Sequence, residues 1–237
     1  MAIATILAVV AAIVLIIVVN NKPAASTNPT ALTPPASPVA DAIPREGTTL
    51  GSPSAPVSVD AWEDYQCPYC RIWSTQLEPQ VIADFVATGI AHYQFHDFAF
   101  LGSGHTPDES LNAAVAASCA GDQGKFWPYH DWLYANQNPS GENGGWFSRA
   151  RLDAIAQQVG LVQATFDTCL ADPAKASAVL AERTAGIALG VNATPTIFVN
   201  GAAQGQLTYA AIAAAIRAAA PQSGASPGAS PAASSSP

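Results

Sequence analysis

A β-rich run, "APVSVDAWED" at residues 55–64, leads directly into "YQCPYCRIW", and a helical rhythm follows. Two cysteines three positions apart at a strand-to-helix turn narrow both fold and chemistry more than any other feature. Apolar residues at Ile72, Trp73, Leu77, Val81, Ile82 and Phe85 carry the helix to Gly89, with a kink expected at Pro79. Pro68 suits the first helical turn, where its missing N–H costs nothing. "IAHYQFHDFAF" (90–100) is aromatic and β-branched and reads as a second strand. From about 105 to 189 the segments are helical by period and propensity, one of them starting at Ser148 and stopping at Gly160. "TPTIFVNG" returns to strand, Asn200–Gly201 signals a hairpin, and "TYAAIAAAIRAAA" closes with a helix. The expected class is α/β: a βαβ unit and a ββα unit with an all-helical subdomain inserted between them.

The ends of the chain differ from this body. Residues 2–19 carry no charge and nothing more polar than Thr5. As a helix they rise about 27 Å, close to the thickness of a bilayer core. The run is longer than a signal-peptide core, lacks a basic start, and leads into "NNKPAAS", a poor cleavage site. A transmembrane anchor over 1–20 is therefore expected rather than a removed signal. Lys22 follows the span, so the positive-inside rule does not support an N-in placement; the cysteines make most sense outside the cytoplasm. Residues 21–45, rich in Pro, Ala, Ser and Thr, read as a tether, and 221–237 as a disordered tail. The folded domain is expected over 46–220. With a formal charge of −8 and only 9 Lys plus Arg, the chain has no basic patch for nucleic acid.

Cys67 and Cys70 admit four readings. Haem attachment requires histidine after the second cysteine, and residue 71 is arginine. Structural zinc requires four ligands, whereas Cys119 and Cys169 stand apart and His92 and His96 share one face of a predicted strand. An inert disulfide across so short a loop would stabilise little. Redox chemistry gives each sulfur a task. Cys67 at the helix N-terminus is favoured as thiolate, the attacking and leaving sulfur, and Cys70, one turn in, is the resolving thiol.

"YQCPYCRIW", "FWPYHDWLY" and "TPTIFVNG", in that order over about residues 46–220, resemble the DsbA-like thiol–disulfide oxidoreductases of the thioredoxin fold. The resemblance implies a catalytic set of Cys67, Pro68, Tyr69, Cys70, Thr194 and Pro195. In it the Thr194–Pro195 bond is cis against the cysteines, meets an extended substrate strand and keeps metals off the thiols. Many relatives carry an acidic residue six positions before the first cysteine to move the proton of the buried thiol. Here that position is Ala61, which leaves Asp60, Glu63 and Asp64 as candidate relays, or as an exposed acidic cluster. Carboxylates so close would also oppose ionisation of Cys67.

An even cysteine count beside an export-type N-terminus points to a structural Cys119–Cys169 disulfide, with two separate buried thiols as the alternative. Trp127, Tyr129, Trp132 and Tyr134 are expected to fill the core of the insertion, and His130 to be a packed histidine rather than a base. The combined expectation is a tethered extracytoplasmic, bacterial oxidant of reduced or misoxidised secreted and membrane proteins. By family logic a DsbB-like or vitamin-K-epoxide-reductase-like membrane protein would reoxidise it. No cofactor or metal is implied. Competing readings are a reductase or isomerase on the same fold, and a non-catalytic tethered chaperone or Cu(I) metallochaperone. Met1 is the only methionine, which counts against copper.

Overall fold

The computed structural model describes residues 31–36, 38–39 and 42–221. The expected span over 2–19, most of the tether and the tail from 222 onward lie outside the described residues. Among those described, no helix is long and apolar enough to cross a membrane.

Six strands form one sheet: β1 (Arg45–Glu46), β2 (Thr49–Leu50), β3 (Val57–Glu63), β4 (Ala91–Asp97), β5 (Thr196–Val199) and β6 (Ala202–Ala203), in the order β1-β2-β4-β3-β5-β6. Central β3 runs parallel to β4, from Val57↔Ala91 to Glu63↔Asp97, and antiparallel to β5. Parallel pairing requires a crossover, and the helix between β3 and β4 supplies it. The β5–β6 turn has positive φ at both Asn200 (46°) and Gly201 (76°), as a tight hairpin demands. This is the thioredoxin-like arrangement expected of the βαβ and ββα units.

The crossover helix is not regular. It runs as α1 (Pro68–Ile72), a π-helical stretch Trp73–Leu77, α2 (Glu78–Val81) and a second π-helical stretch Ile82–Val86. Pro79 has no N–H to give, and its ring crowds the carbonyl one turn back. The wider turn before it, in which the Glu78 N–H reaches Trp73 O, lets the chain continue instead of ending. Cys70, Trp73, Val81 and Phe85 are buried beneath it.

The inserted helices are α3 (Glu109–Gly121), α4 (Phe126–Ala135), α5 (Arg149–Gln158), α6 (Gln163–Leu170) and α7 (Pro173–Ala188). In α3, Ala113, Ala114, Ala116, Ala117 and Ala120 are all buried, so its small side chains let neighbouring helices approach closely. Cys119 on α3 is joined to Cys169 on α6, with Cα atoms 5.7 Å apart. Gly186 of α7 lies against Trp62, and a Cβ there would sit 2.8 Å from the indole ring. The final helix, α8 (Tyr209–Ala219), buries Ile212, Ala213 and Ile216.

Part of the expected tether is packed. Asn136 grips Thr33 from both sides, accepting from its N–H at 2.7 Å and donating to its carbonyl at 2.8 Å. The Val39 N–H donates to Asp131 Oδ2 at 2.9 Å, and Ile43 is buried. Polar side chains on α4 thus supply the partners that a Pro-rich segment cannot supply to itself.

Candidate active site

The cysteine turn is held from three directions. Cys67 is the N-cap of α1 with an extended backbone (φ −70°, ψ 121°), and Pro68 opens the helix. From the loop just after α4, Gln137 Nε2 donates to Tyr65 O (2.9 Å) and Cys67 O (2.8 Å). The loop before β5 brings Thr194 O to 3.2 Å from Cys67 Sγ, and the Thr194–Pro195 peptide bond is cis, as is Thr106–Pro107. Cys67 keeps 5% of its surface exposed and Cys70 none, whereas Pro68 and Tyr69 stand in solvent. Only the first sulfur can meet another molecule.

The two thiols ionise in opposite directions. The Cys67 thiol is lowered from 9.0 to about 6, chiefly by a hydrogen bond from Cys70. Burial opposes this, while Thr194 and the backbone N–H groups of Cys70 and Tyr69 assist. The Thr194 hydroxyl, buried and otherwise without a partner, suits that role. Burial pushes the Cys70 thiol well above its usual value, and its bond to Cys67 and the charge of Glu63 push the same way.

The three candidate acids separate completely. Side chains alternate along a strand, so Asp60 lies on the face of β3 opposite Ala61 and Glu63. It pairs there with His96 (3.4 Å) and Ser58 (3.0 Å), and His96 stacks on Trp62 with ring centroids 4.3 Å apart. Asp60 is thus no neighbour of the thiols. Asp64 is buried but saturated, accepting from the N–H groups of Gln66, Phe100 and Leu101 and from the Ser110 hydroxyl. It anchors the turn. Nor do the three form an exposed acidic cluster, since Glu63 and Asp64 are both buried.

Glu63 is fully buried on the same face as Ala61, one pleat nearer the cysteines. Tyr93 Oη donates to its Oε1 at 3.2 Å, and Oε2 has no geometric partner. Burial raises its carboxyl from 4.5 to about 8, tyrosine hydrogen bonds moderate the rise, and Cys67 adds to it. A carboxyl that is neutral near pH 7 does not repel the Cys67 thiolate, so the opposition expected from nearby acids is absent.

Two further residues join this site without having been singled out for it. Glu78 (1% exposed) and His130 (0%) bring polar atoms within 4.8 Å of Glu63 and of one another. A signal for Glu78 existed: Cys70, Ser74 and Glu78 recur every four residues and share one inward helical stripe. Trp127, Tyr129 and Tyr134 are buried as expected of a core, but His130 and Tyr134 also face Tyr65 across the boundary with the sheet domain.

Comparison with known proteins agrees with this arrangement. The family model described as thioredoxin matches residues 45–218. Disulfide bond formation protein D of Bacillus subtilis (strain 168) is 29% identical over 154 residues, covering 64% of this chain and 66% of that protein. A probable disulfide bond formation protein D of Bacillus cereus is 31% identical over 111 residues, covering 46% of this chain and 49% of its own. The chain thus spans about two thirds and about half of these relatives. The crystal structure of oxidised BdbD from Bacillus subtilis superposes with a TM-score of 0.66 at 25% identity, over 73% of this chain and 92% of that one. With a matching model over most of its length and a structural likeness to oxidised BdbD, the chain belongs to the thioredoxin family, among its DsbA-like members.

Proposed function

We propose that this protein is a thiol–disulfide oxidoreductase that introduces disulfides into other proteins, with Cys67 and Cys70 as its redox pair. The observation that carries the reading is the unequal state of the two sulfurs: Cys67 largely buried yet keeping a small exposed area and readily ionised, Cys70 wholly buried and held as thiol. A low pKa at the attacking cysteine stabilises the reduced form, which makes the disulfide form an oxidant.

In the oxidising direction a substrate thiolate attacks Cys67 Sγ. The Cys67–Cys70 bond breaks, and Cys70 leaves with the electron pair and takes a proton from the Glu63 carboxyl. A second substrate thiolate then attacks the substrate sulfur of the mixed disulfide and expels Cys67 as thiolate. Two electrons pass from the substrate to the enzyme. Of the acids weighed, Glu63 alone combines burial, a raised carboxyl and coupling to both cysteines. Pro68 and Tyr69 present the pair to solvent, and Thr194 with Pro195 borders it where an extended substrate strand would lie.

Substrates on this reading are reduced or misoxidised secreted and membrane proteins. The enzyme dithiol needs a membrane partner of DsbB-like or vitamin-K-epoxide-reductase-like chemistry to accept its electrons. The domain sits outside the cytoplasm of a bacterium, tethered by residues 1–20 through the Pro/Ala/Ser/Thr-rich segment, with the folded body over 46–220, its helical insertion over about 105–189 and a tail from 221. The apolar run over 2–19 supports the tether, and a disulfide between Cys119 and Cys169 accords with an oxidising compartment.

Equilibration of the purified chain with glutathione tests the chemistry. A high potential, near the strong oxidants, is expected; a strongly negative one would reverse the assignment to a reductase or isomerase. Cys67→Ser should abolish thiol oxidation, and survival of the activity in that variant would leave a binding module. Carbonate extraction of membranes should retain the full chain and release one lacking residues 2–19.

A further inference from the structure

Glu63 Oε2, Glu78 Oε2, His130 Nε2 and Tyr134 Oη are buried with no partner at hydrogen-bond distance among the described residues, and Glu63, Glu78 and His130 bring polar atoms within 4.8 Å of one another. Buried polar atoms without partners are costly, and side chains gathered this closely can hold protons between them. The two carboxyls differ from an acid pair left in solvent, because burial first, and each other's charge second, keep Glu78 protonated well beyond its usual range. Protonated carboxyls at Glu63 and Glu78 supply the donors that two carboxylates and an imidazole acceptor could not supply to one another.

The far side of His130 leads outward. Its Nδ1 lies 3.1 Å from Asp131 Oδ1, and the other carboxylate oxygen of Asp131 accepts from Val39 N–H. The His130 side chain is fully buried, whereas that of Asp131 is 9% exposed. Asp131 borders two solvent-open cavities, one of about 310 Å³ lined by Thr33 and Ala36 and one of about 380 Å³ lined by Val39 and Ile43. An imidazole can take a proton at one nitrogen and release another from the opposite one, so His130 can bridge a sealed carboxyl cluster and a carboxylate at the water's edge.

We infer that His130 and Asp131 form the exit by which the proton exchanged between Cys70 and Glu63 reaches solvent, with Glu78 as the second carboxyl holding it inside. The inference rests on the proposed thiol–disulfide exchange at Cys67 and Cys70. When Cys70 closes onto a mixed disulfide at Cys67, Glu63 first gives up its proton through His130 to Asp131 and water, and the carboxylate so formed takes the proton of the Cys70 thiol. The Cys70 thiolate attacks Cys67 Sγ, and the captured thiol leaves as thiolate. One proton reaches solvent and Glu63 ends protonated, as it began. The titratable groups facing His130 are Glu63 from β3, Glu78 from α2, Tyr65 from the cysteine turn, and Asp131 and Tyr134 from its own helix. His130 and Asp131 are positioning residues, since neither touches sulfur.

The test mixes the reduced full-length chain with oxidised glutathione and follows two phases by rapid quench between pH 5 and 9, in H2O and D2O. The first phase is capture at Cys67 and the second is closure by Cys70. Asp131→Asn keeps an acceptor for Val39 and lies at the edge of the core, so it is the primary variant; His130→Gln is the second. Both should slow closure roughly tenfold and alter its pH profile and solvent isotope effect, with capture unchanged. Asp131→Glu should restore closure. Glu63→Gln should slow closure as well, and combining it with Asp131→Asn should add little. Unchanged closure in Asp131→Asn, with Glu63→Gln slow, would overturn the exit route and leave the relay standing. Unchanged closure in Glu63→Gln would overturn both. A uniform loss of capture and closure in Asp131→Asn would mark a merely structural residue and also overturn the route.

Discussion

Cys67 and Thr194 are 127 residues apart in the chain, yet the sulfur of one lies 3.2 Å from the carbonyl oxygen of the other. The contact exists because β5 pairs with β3, which carries the loop before β5 to the mouth of the cysteine turn. The carbonyl accepts from the Cys67 thiol, whereas the Thr194 hydroxyl that arrives with it favours the thiolate, so ionisation is supported both from the cysteine helix and from across the sheet.

Removing either support should raise the Cys67 pKa. Cys70→Ala deletes the leading contribution and should move the thiol from about 6 toward 9.0 by at least about one pH unit, or about 1.4 kcal/mol. Thr194→Val, which keeps the carbonyl and loses the hydroxyl, should move it less. Ultraviolet titration of the thiolate, or the pH dependence of alkylation, reads both. An unchanged midpoint in Cys70→Ala would mean that the helix terminus and Thr194 set the ionisation without help from Cys70.

Glu63 should destabilise the fold as pH rises. Its folded carboxyl is raised to about 8 against 4.5 in the unfolded chain, so the folded state binds the extra proton between those values. The stabilising contribution is complete below about 4.5 and lost as pH climbs through 8. Glu63→Gln should therefore raise Tm relative to the parent by an amount that grows from pH 5 to pH 8 and then levels off. A difference independent of pH would refute the assignment.

The Cys119–Cys169 disulfide closes a loop of 50 residues in the insertion. Replacing both cysteines by alanine should cost about 4 kcal/mol in the chain-entropy view, read as a lower denaturation midpoint in urea. Glutathione exchange at Cys67 should persist wherever the variant remains folded. Its loss in the folded variant would tie the insertion directly to the redox chemistry.

Gly186→Ala should destabilise by about 1–3 kcal/mol, because the new methyl meets the Trp62 ring at 2.8 Å and Phe98 at 2.9 Å. Both neighbours are buried aromatic rings with little room to yield. Unfolding in urea that matched the parent would show that α7 can lift away from β3.

Much of this protein was legible from the chain alone, because its signals are local. The β-rich run at 55–64, the cysteine spacing, Pro68 at a helix start and Asn200–Gly201 at a hairpin each depend on a few neighbouring residues, and the structure has a strand over Val57–Glu63, a helix from Pro68 and a positive-φ turn at Asn200–Gly201. Local spacing could not rank the acids. Asp60, Glu63 and Asp64 are near neighbours in sequence, but strand alternation turns Asp60 away, and four donors from three segments occupy Asp64. Nor could it bring Glu78 and His130 to Glu63, since one arrives along an irregular helix and the other from an inserted one. Backbone propensity and side-chain period are set by adjacent residues and can be read in one dimension. Burial, and with it the ionisation of Glu63 and Cys70, depends on which distant surfaces close over a group, and only tertiary packing decides that.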